Sequence, residues 1–258
     1  MSLISVLEET PAFFISFITI IGLMVGSFLN VVIYRLPVMM KRSWLQQCAE
    51  LRDEPIAELP VFNLITPRSA CTQCGHKLSA LENIPVISYL FLRGRCSQCQ
   101  TRISLCYPLV ETVTALMSGF VAWHFGFGWL TVATVLFVWA LIALAVIDLN
   151  TQLLPDDITL PLLWAGLLVN MNNGFTDIHS AIIGAVAGYL SLWCIYWCFK
   201  LITGKEGMGY GDFKLLSAIG AWLGWSMLPL VILFSSLVGT AVGIGLIIAA
   251  RLNKNIPI

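Results

Sequence analysis

Five stretches of the chain carry no Asp, Glu, Lys or Arg: residues 10–34, 112–147, 158–176, 178–199 and 215–250. A helix crosses the hydrocarbon of a bilayer in about 20 residues, so the two 36-residue stretches are too long for one crossing each. Each breaks near its middle, at His124-Phe-Gly-Phe-Gly128 and at Gly224-Trp-Ser-Met-Leu-Pro229, where glycine and proline favour a turn. The pattern therefore predicts seven helices, near 12–34, 106–123, 129–147, 157–171, 179–200, 212–224 and 229–250. The first is not a cleaved signal peptide. Glu8 and Glu9 stand where Lys or Arg is required, and no A-x-A site follows.

Composition agrees with the pattern. Of the 258 residues, 58% are hydrophobic and 11% charged, with mean hydropathy +0.87. Soluble domains carry roughly 25% charged residues, so a single water-soluble domain is excluded. Net charge is zero, which leaves no basic field to attract nucleic acid. Nine of the fourteen Lys and Arg residues lie between Arg35 and Arg102, and the rest are Lys200, Lys205, Lys214, Arg251 and Lys254. With the N-terminus outside, all fourteen fall on one face of the membrane. The positive-inside rule then makes 36–104, 148–157, 201–211 and the C-terminus cytoplasmic. Gly22 and Gly26, with Ser27 and Asn30, suit a helix packed against others, as do the GxxxG spacings Gly184/Gly188, Gly220/Gly224 and Gly239/Gly243.

The large loop carries the first chemical signal. Cys71-Thr-Gln-Cys74 and Cys96-Ser-Gln-Cys99 are separated by 21 residues, a spacing that suits four thiolates around a tetrahedral Zn2+. The two pairs resemble each other, CTQCGHKLS against CSQCQTRIS, as two turns of a zinc ribbon do. Redox thiols or a disulfide are the competing readings, and a reducing cytoplasm disfavours the disulfide. Four closed ligands make the expected ion structural. His76 reads as a surface neighbour of the site, Cys194 and Cys198 as membrane packing, and Cys48 and Cys106 carry no signal.

The second signal is carboxylates where a bilayer makes them expensive. Asp148 follows LFVWALIALAVI at the end of the third expected helix, and Asp212 opens the sixth within Gly209-Tyr-Gly211-Asp212. A charge at membrane depth costs several kcal/mol, which makes an ionisable residue there a functional candidate. The expected topology puts both at one depth on one face. Two carboxylates brought together share a proton, so one acts as base and the other as acid on a water attacking a peptide carbonyl. Gly209 and Gly211 permit close backbone approach, either to a substrate strand or to a partner helix. The alternative is that each Asp caps a helix or stays hydrated at the interface, and for Asp156 and Asp157 after Pro155 capping is the better reading. Glu111 either lines a polar cavity or lies in the headgroup layer.

These residues together resemble one family. GSFLNVVIYRLP (26–37), the paired C-x2-C motifs, NIPVISYLFLRGRC (83–96), YPLVE (107–111), Asp148 followed by LLPD (153–156), and GYGD (209–212) are similar, in order over about 25–255, to type IV prepilin peptidases. GxGD alone is shared with presenilin-like intramembrane proteases, for which no zinc loop and a deeper dyad are expected. Together with the apolar pattern, the resemblance leads to the expectation of an all-α polytopic membrane protein of about seven transmembrane helices with a small cytoplasmic zinc-ribbon-like loop domain. Its expected divisions are a first span (1–35), the loop domain (36–104) and a six-helix peptidase core (105–258). It implies a bacterial inner-membrane enzyme with Asp148 and Asp212 as the aspartic dyad. The dyad would cut the short basic leader of type IV prepilins and type II secretion pseudopilins after a glycine, at the cytoplasmic face. The new N-terminal residue would then be methylated from S-adenosylmethionine, with Gly94 linked to that step. Membrane lipid is the other implied partner, and no glycine-rich nucleotide motif marks the methyl donor's site. Glu50, Asp53, Glu54 and Glu58 are placed either to attract a basic leader or simply to be solvated.

The family pattern runs on past Lys-x-Ile-Pro through Phe-Gly-Pro into an eighth span. Here Lys254-Asn-Ile-Pro257 is followed by Ile258 alone, so seven spans are expected in place of eight, with both Asp residues and the zinc loop retained. A catalytically impaired copy serving as a zinc-ribbon scaffold is the alternative that this departure raises.

Overall fold

The computed structural model describes residues 3–54, 60–79 and 81–252. Glu58 and the Lys254–Ile258 segment lie outside the described residues. Among the described residues the secondary structure is helical, with no strand beyond two isolated bridges, Ala70–Lys77 and Arg95–Arg102. The chain forms two compact units, 1–158 and 159–258.

In the first unit, α1 (Leu3–Glu9) is followed by α2 (Pro11–Leu51), a 41-residue helix. The expected end near residue 34 is overrun, so the start of the predicted loop is helical. The segment beyond Pro37 has no glycine and is rich in strong helix formers such as Met39, Met40, Lys41, Arg42, Leu45 and Ala49. Pro37 removes one backbone bond but is buried and leaves the helix continuous. A short helix α3 (Ile87–Phe91) lies in the loop, and α4 (Cys106–Phe125) and α5 (Trp129–Thr151) return to the bundle. α2 packs along α4, and α5 packs on both. Leu29, Ile33, Leu36, Val110, Ala143 and Ile147 form their shared core. The close α2–α4 approach depends on Gly26, where a Cβ would sit 2.7 Å from the Glu111 Cα.

The second unit contains most of α6 (Asp156–Met171), then α7 (Ile178–Thr203), α8 (Tyr210–Leu223) and α9 (Leu228–Leu252). Asp177 caps α7 by accepting from the Ser180 N–H at 2.8 Å. α7 and α8 meet backbone to backbone: a Cβ at Gly184 would strike the Gly220 carbonyl, and the reverse holds for Gly220. By contrast Gly239 and Gly243 on α9 have open space beside them, so that third GxxxG meets no neighbour among the described residues. Buried Asn170 donates to the Ala221 and Trp222 carbonyls at 2.8 and 2.9 Å and accepts from the Phe175 and Thr176 N–H groups. One side chain thus closes the end of α8 and the turn into α7, groups that a bilayer cannot hydrate.

Each of the seven expected helices has a counterpart with closely similar ends, apart from the extension of α2. The segments Pro11–Leu51, Trp129–Thr151, Ile178–Thr203 and Trp225–Gly245 are long and apolar enough to cross a membrane. α4, α6 and α8 do not meet that measure of length and composition, so seven crossings are not established by it. Asp156 and Asp157 sit exposed in the first turn of α6, where the helix dipole favours negative charge. Cys194 and Cys198, expected to pack, are exposed on α7.

Candidate active and metal sites

The four loop cysteines converge. All four sulfurs lie within 4.8 Å of one another, with Cys71 Sγ 3.7 Å from Cys99 Sγ and Cys74 Sγ 3.9 Å from Cys96 Sγ. A Zn–S bond of about 2.3 Å implies a tetrahedron edge of about 3.8 Å, so the donor set fits that ion. The likeness of the two sequence halves is a likeness of backbone. Cys71 N–H donates to the His76 carbonyl, and Cys96 N–H to the Thr101 carbonyl. Leu78 N–H reaches the Ser69 carbonyl as Ile103 N–H reaches that of Gly94. Gly75 and Gln100 take the left-handed conformation at matching places. Two of the four thiols are lowered towards the thiolate, the metal-binding form, whereas that of Cys74, despite the His76 N–H, is raised to about 11 by burial and by its cysteine neighbours. The N–H groups of Cys74 and Gln73 lower the Cys71 thiol, and the Thr101 hydroxyl and N–H bring that of Cys99 down to about 6.

Gly94, the residue tied by resemblance to methyl transfer, is buried inside this scaffold. Its φ is +67°, and a Cβ there would lie 2.6 Å from the Tyr89 hydroxyl oxygen. Both facts require glycine, because a side chain would be strained in conformation and would collide with the ring.

One residue that the apolar pattern does not single out holds the two knuckles together. Glu82 accepts from the Ser97 hydroxyl, from the Ser79 N–H at 2.8 Å and from His76 Nε2 at 3.4 Å. Its own N–H donates to Ser79 Oγ at 3.4 Å. Ser79-x-x-Glu82 is a capping box, and that spacing was the available signal. The Ser97 hydroxyl and the Ser79 N–H hold the Glu82 carboxyl at about 2. His76 is accordingly a half-buried partner of Glu82, where a surface residue was expected.

Asp148 lies near the C-terminal end of α5, half-buried, directly after Ile147, which has no exposed surface. Left-handed Gln152 closes that helix end by donating its N–H to the Asp148 carbonyl at 2.8 Å. Asp212 lies in the first turn of α8, half-buried, its N–H donating to the carbonyl of the N-cap residue Gly209. The following residue, Phe213, is fully buried against the rings of Tyr189, Tyr196 and Tyr210, which anchors that turn. Before it, Lys200 pairs with Glu206 at 2.9 Å and holds that carboxyl below its ordinary range. Gly209 is exposed, and a Cβ there would meet only the Asp212 carboxylate, at 3.8 Å. Asp148 belongs to the first unit and Asp212 to the second. Glu50, Asp53 and Glu54 are exposed where α2 ends.

Glu111 is a buried side chain of α4 that faces α2, bonded to Asn30 and to the Val86 N–H of the loop.

Comparison with known proteins agrees with these features. Residues 20–125 match the bacterial peptidase A24 N-terminal domain, and residues 135–244 match the type IV leader peptidase family. The chain is 54% identical to the prepilin leader peptidase/N-methyltransferase of Aeromonas hydrophila, over 99% of this chain and 89% of that protein. It is 51% identical to the protein of that name from Pseudomonas aeruginosa, over 100% and 89%. For the Burkholderia pseudomallei (strain K96243) protein of that name the figures are 49%, 89% and 75%. No solved structure matches. With apolar helices of spanning length, a four-cysteine cluster and identity near one half over almost its whole length, this membrane protein belongs to the type IV leader peptidase family.

Proposed function

We propose that the chain removes the short basic leader of type IV prepilins and type II secretion pseudopilins after a glycine, and then methylates the new N-terminal residue. The observation that carries this reading is the near-complete alignment with relatives bearing that double name, at 54% identity over 99% of the chain.

Asp148 and Asp212 are the catalytic pair of the proposed reaction. Brought to one substrate peptide, they share a proton. The ionised carboxylate takes a proton from water as the water oxygen attacks the scissile carbonyl carbon. The protonated one gives its proton to the carbonyl oxygen. When the intermediate collapses, the C–N bond breaks and the leaving amine takes up a proton. The open backbone at Gly209, with Gly211 beside Asp212, lets an extended substrate approach. S-adenosylmethionine supplies the methyl group. Cys71, Cys74, Cys96 and Cys99 would hold a Zn2+ in a structural role, since the chain itself offers all four ligands. Gly94 acts in methyl transfer through the fold of the second knuckle. The chain lies in the bacterial inner membrane, among its lipids, with the N-terminus outside and the loop and both Asp residues at the cytoplasmic side. In this arrangement 1–35 is the first span, 36–104 bears the metal and 105–258 forms the peptidase core.

The test is cleavage of a purified prepilin with a basic, glycine-ended leader, read by product mass. The parent cuts after glycine and adds the mass of one methyl. Asp148→Asn and Asp212→Asn each lower cleavage by at least about 10²–10⁴-fold, the range of general acid–base contributions. A parent that is folded and metal-loaded yet inert, or a fully active Asn variant, refutes the reading.

A further inference from the structure

Among the described residues of the first unit, one basic and one acidic side chain are buried, and both turn to the backbone of the cysteine-bearing loop. Arg35 on α2 is 7% exposed, and Glu111 on α4 is 8% exposed. Arg35 donates from Nη1 to the Asn63 carbonyl at 2.9 Å and from Nη2 to the Pro67 carbonyl at 2.6 Å. Its guanidinium lies over the Phe62 ring, 5.7 Å from the centroid, and Arg42 covers the same ring at 4.5 Å. Glu111 accepts the Val86 N–H on Oε2 at 2.7 Å and Asn30 Nδ2 on Oε1 at 3.4 Å. Asn30 Nδ2 also reaches the Tyr107 carbonyl at 3.1 Å.

A buried charge is costly unless its hydrogen bonds are complete, so two such groups at loop contacts are not explained by packing alone. Their placement explains them. Asn63 and Pro67 lie just before Cys71, and Val86 opens α3, which leads through Gly94 to Cys96. The anchors therefore hold the entry to each knuckle. On the helix side, Leu36 adjoins Arg35 and Val110 adjoins Glu111. Both leucine and valine belong to the core that includes Ile147, the neighbour of Asp148.

We propose that Arg35 and Glu111 are positioning residues that dock the four-cysteine loop on α2 and α4, fixing the metal site relative to the Asp148-bearing end of α5. The part of this inference that concerns activity rests on the function proposed above.

The experiment uses the full chain, loaded with Co2+, as Arg35→Ala, Arg35→Lys, Glu111→Ala and Glu111→Gln. Three quantities are read: the Co2+–thiolate absorption, amide exchange over 61–66 and 84–93, and prepilin cleavage. The docking role predicts an unchanged absorption spectrum with exchange in both windows faster by about tenfold or more in the Ala variants, as expected for losing a charge-assisted hydrogen bond. Cleavage falls in parallel. Arg35→Lys does not rescue, because one ammonium cannot reproduce the two-pronged reach to separate carbonyls. Glu111→Gln keeps one acceptor for Val86 and falls between parent and Ala variant. Unchanged exchange overturns the inference, and so does loss of the thiolate spectrum, which marks a general folding role. If the parent fails to cut any prepilin, the proposed function falls, while exchange and spectrum still decide the docking.

Discussion

Glu82 allows a sharp test of how the metal loop is built. The Glu82→Ala change removes the acceptor for Ser97 in the second knuckle and for Ser79 and His76 beside the first. None of these bonds touches a sulfur, so the four ligands remain, but the two halves of the site lose the group that sets their separation. Outer partners of metal ligands are typically worth about 10–100-fold in affinity, and Glu82→Ala belongs in that range. Glu82→Gln is milder, because its amide oxygen can still accept the Ser79 N–H while the Ser97 hydroxyl turns to accept from the amide nitrogen. Competition with a chromophoric chelator gives the affinity, and the release rate should rise by a similar factor. Acidity supplies a second check. The folded carboxyl lies at about 2, below its ordinary value of 4.5, so its contribution is complete above about 4.5 and is lost only as pH falls towards 2. It stays ionised throughout the range in which thiolates take up protons. The Glu82→Gln penalty should therefore be the same factor at pH 8 and at pH 9, above the ordinary imidazole range. A penalty that changes between these values, or an affinity unaffected by Glu82→Ala, would refute the clamp.

Two further outcomes follow from close contacts. Gly94→Ala strains a left-handed residue and drives a methyl group into Tyr89, so metal release from the second knuckle should accelerate in the same chelator assay, and unchanged release would separate Gly94 from the metal fold. Gly184→Leu forces α7 away from the Gly220 backbone, with a cost of about 1–3 kcal/mol for overpacking. The same substitution at Gly239, beside open space, should cost much less, and thermal unfolding in detergent compares the two.

Some of this was legible along the chain because each signal is local. The uncharged runs place α4 to α9, since a bilayer allows few charges within a span and a helix is the element that satisfies its own backbone there. The doubled C-x-Q-C carries a knuckle whose hydrogen bonds all lie within about ten residues, so the repeat in letters is a repeat in geometry. Asp148 and Asp212 stand out because they end and begin apolar runs.

Other features depend on partners distant in the chain. Residues 184/188 and 239/243 show the same GxxxG spacing, yet one pair presses on Gly220 and Leu216 while the other meets nothing among the described residues. Spacing gives a flat face, and only a neighbour makes it an interface. The continuation of α2 past Pro37 to Leu51 joins favourable helix formers to contacts with the loop through Arg35 and Arg42, which the local pattern does not contain. Glu82 and Arg35 read in the sequence as ordinary charged residues in or beside a polar loop, and Glu111 stands out there only as a carboxylate early in an apolar helix, without its partners. Covalent spacing and the demands of a bilayer act locally, so the helices, apart from the extension of α2, and the two knuckles can be read along the chain. The burial of Arg35 and Glu111 and their bonds to loop backbone are long-range facts, because a charge is stable inside a protein only where folding brings it partners from far along the chain.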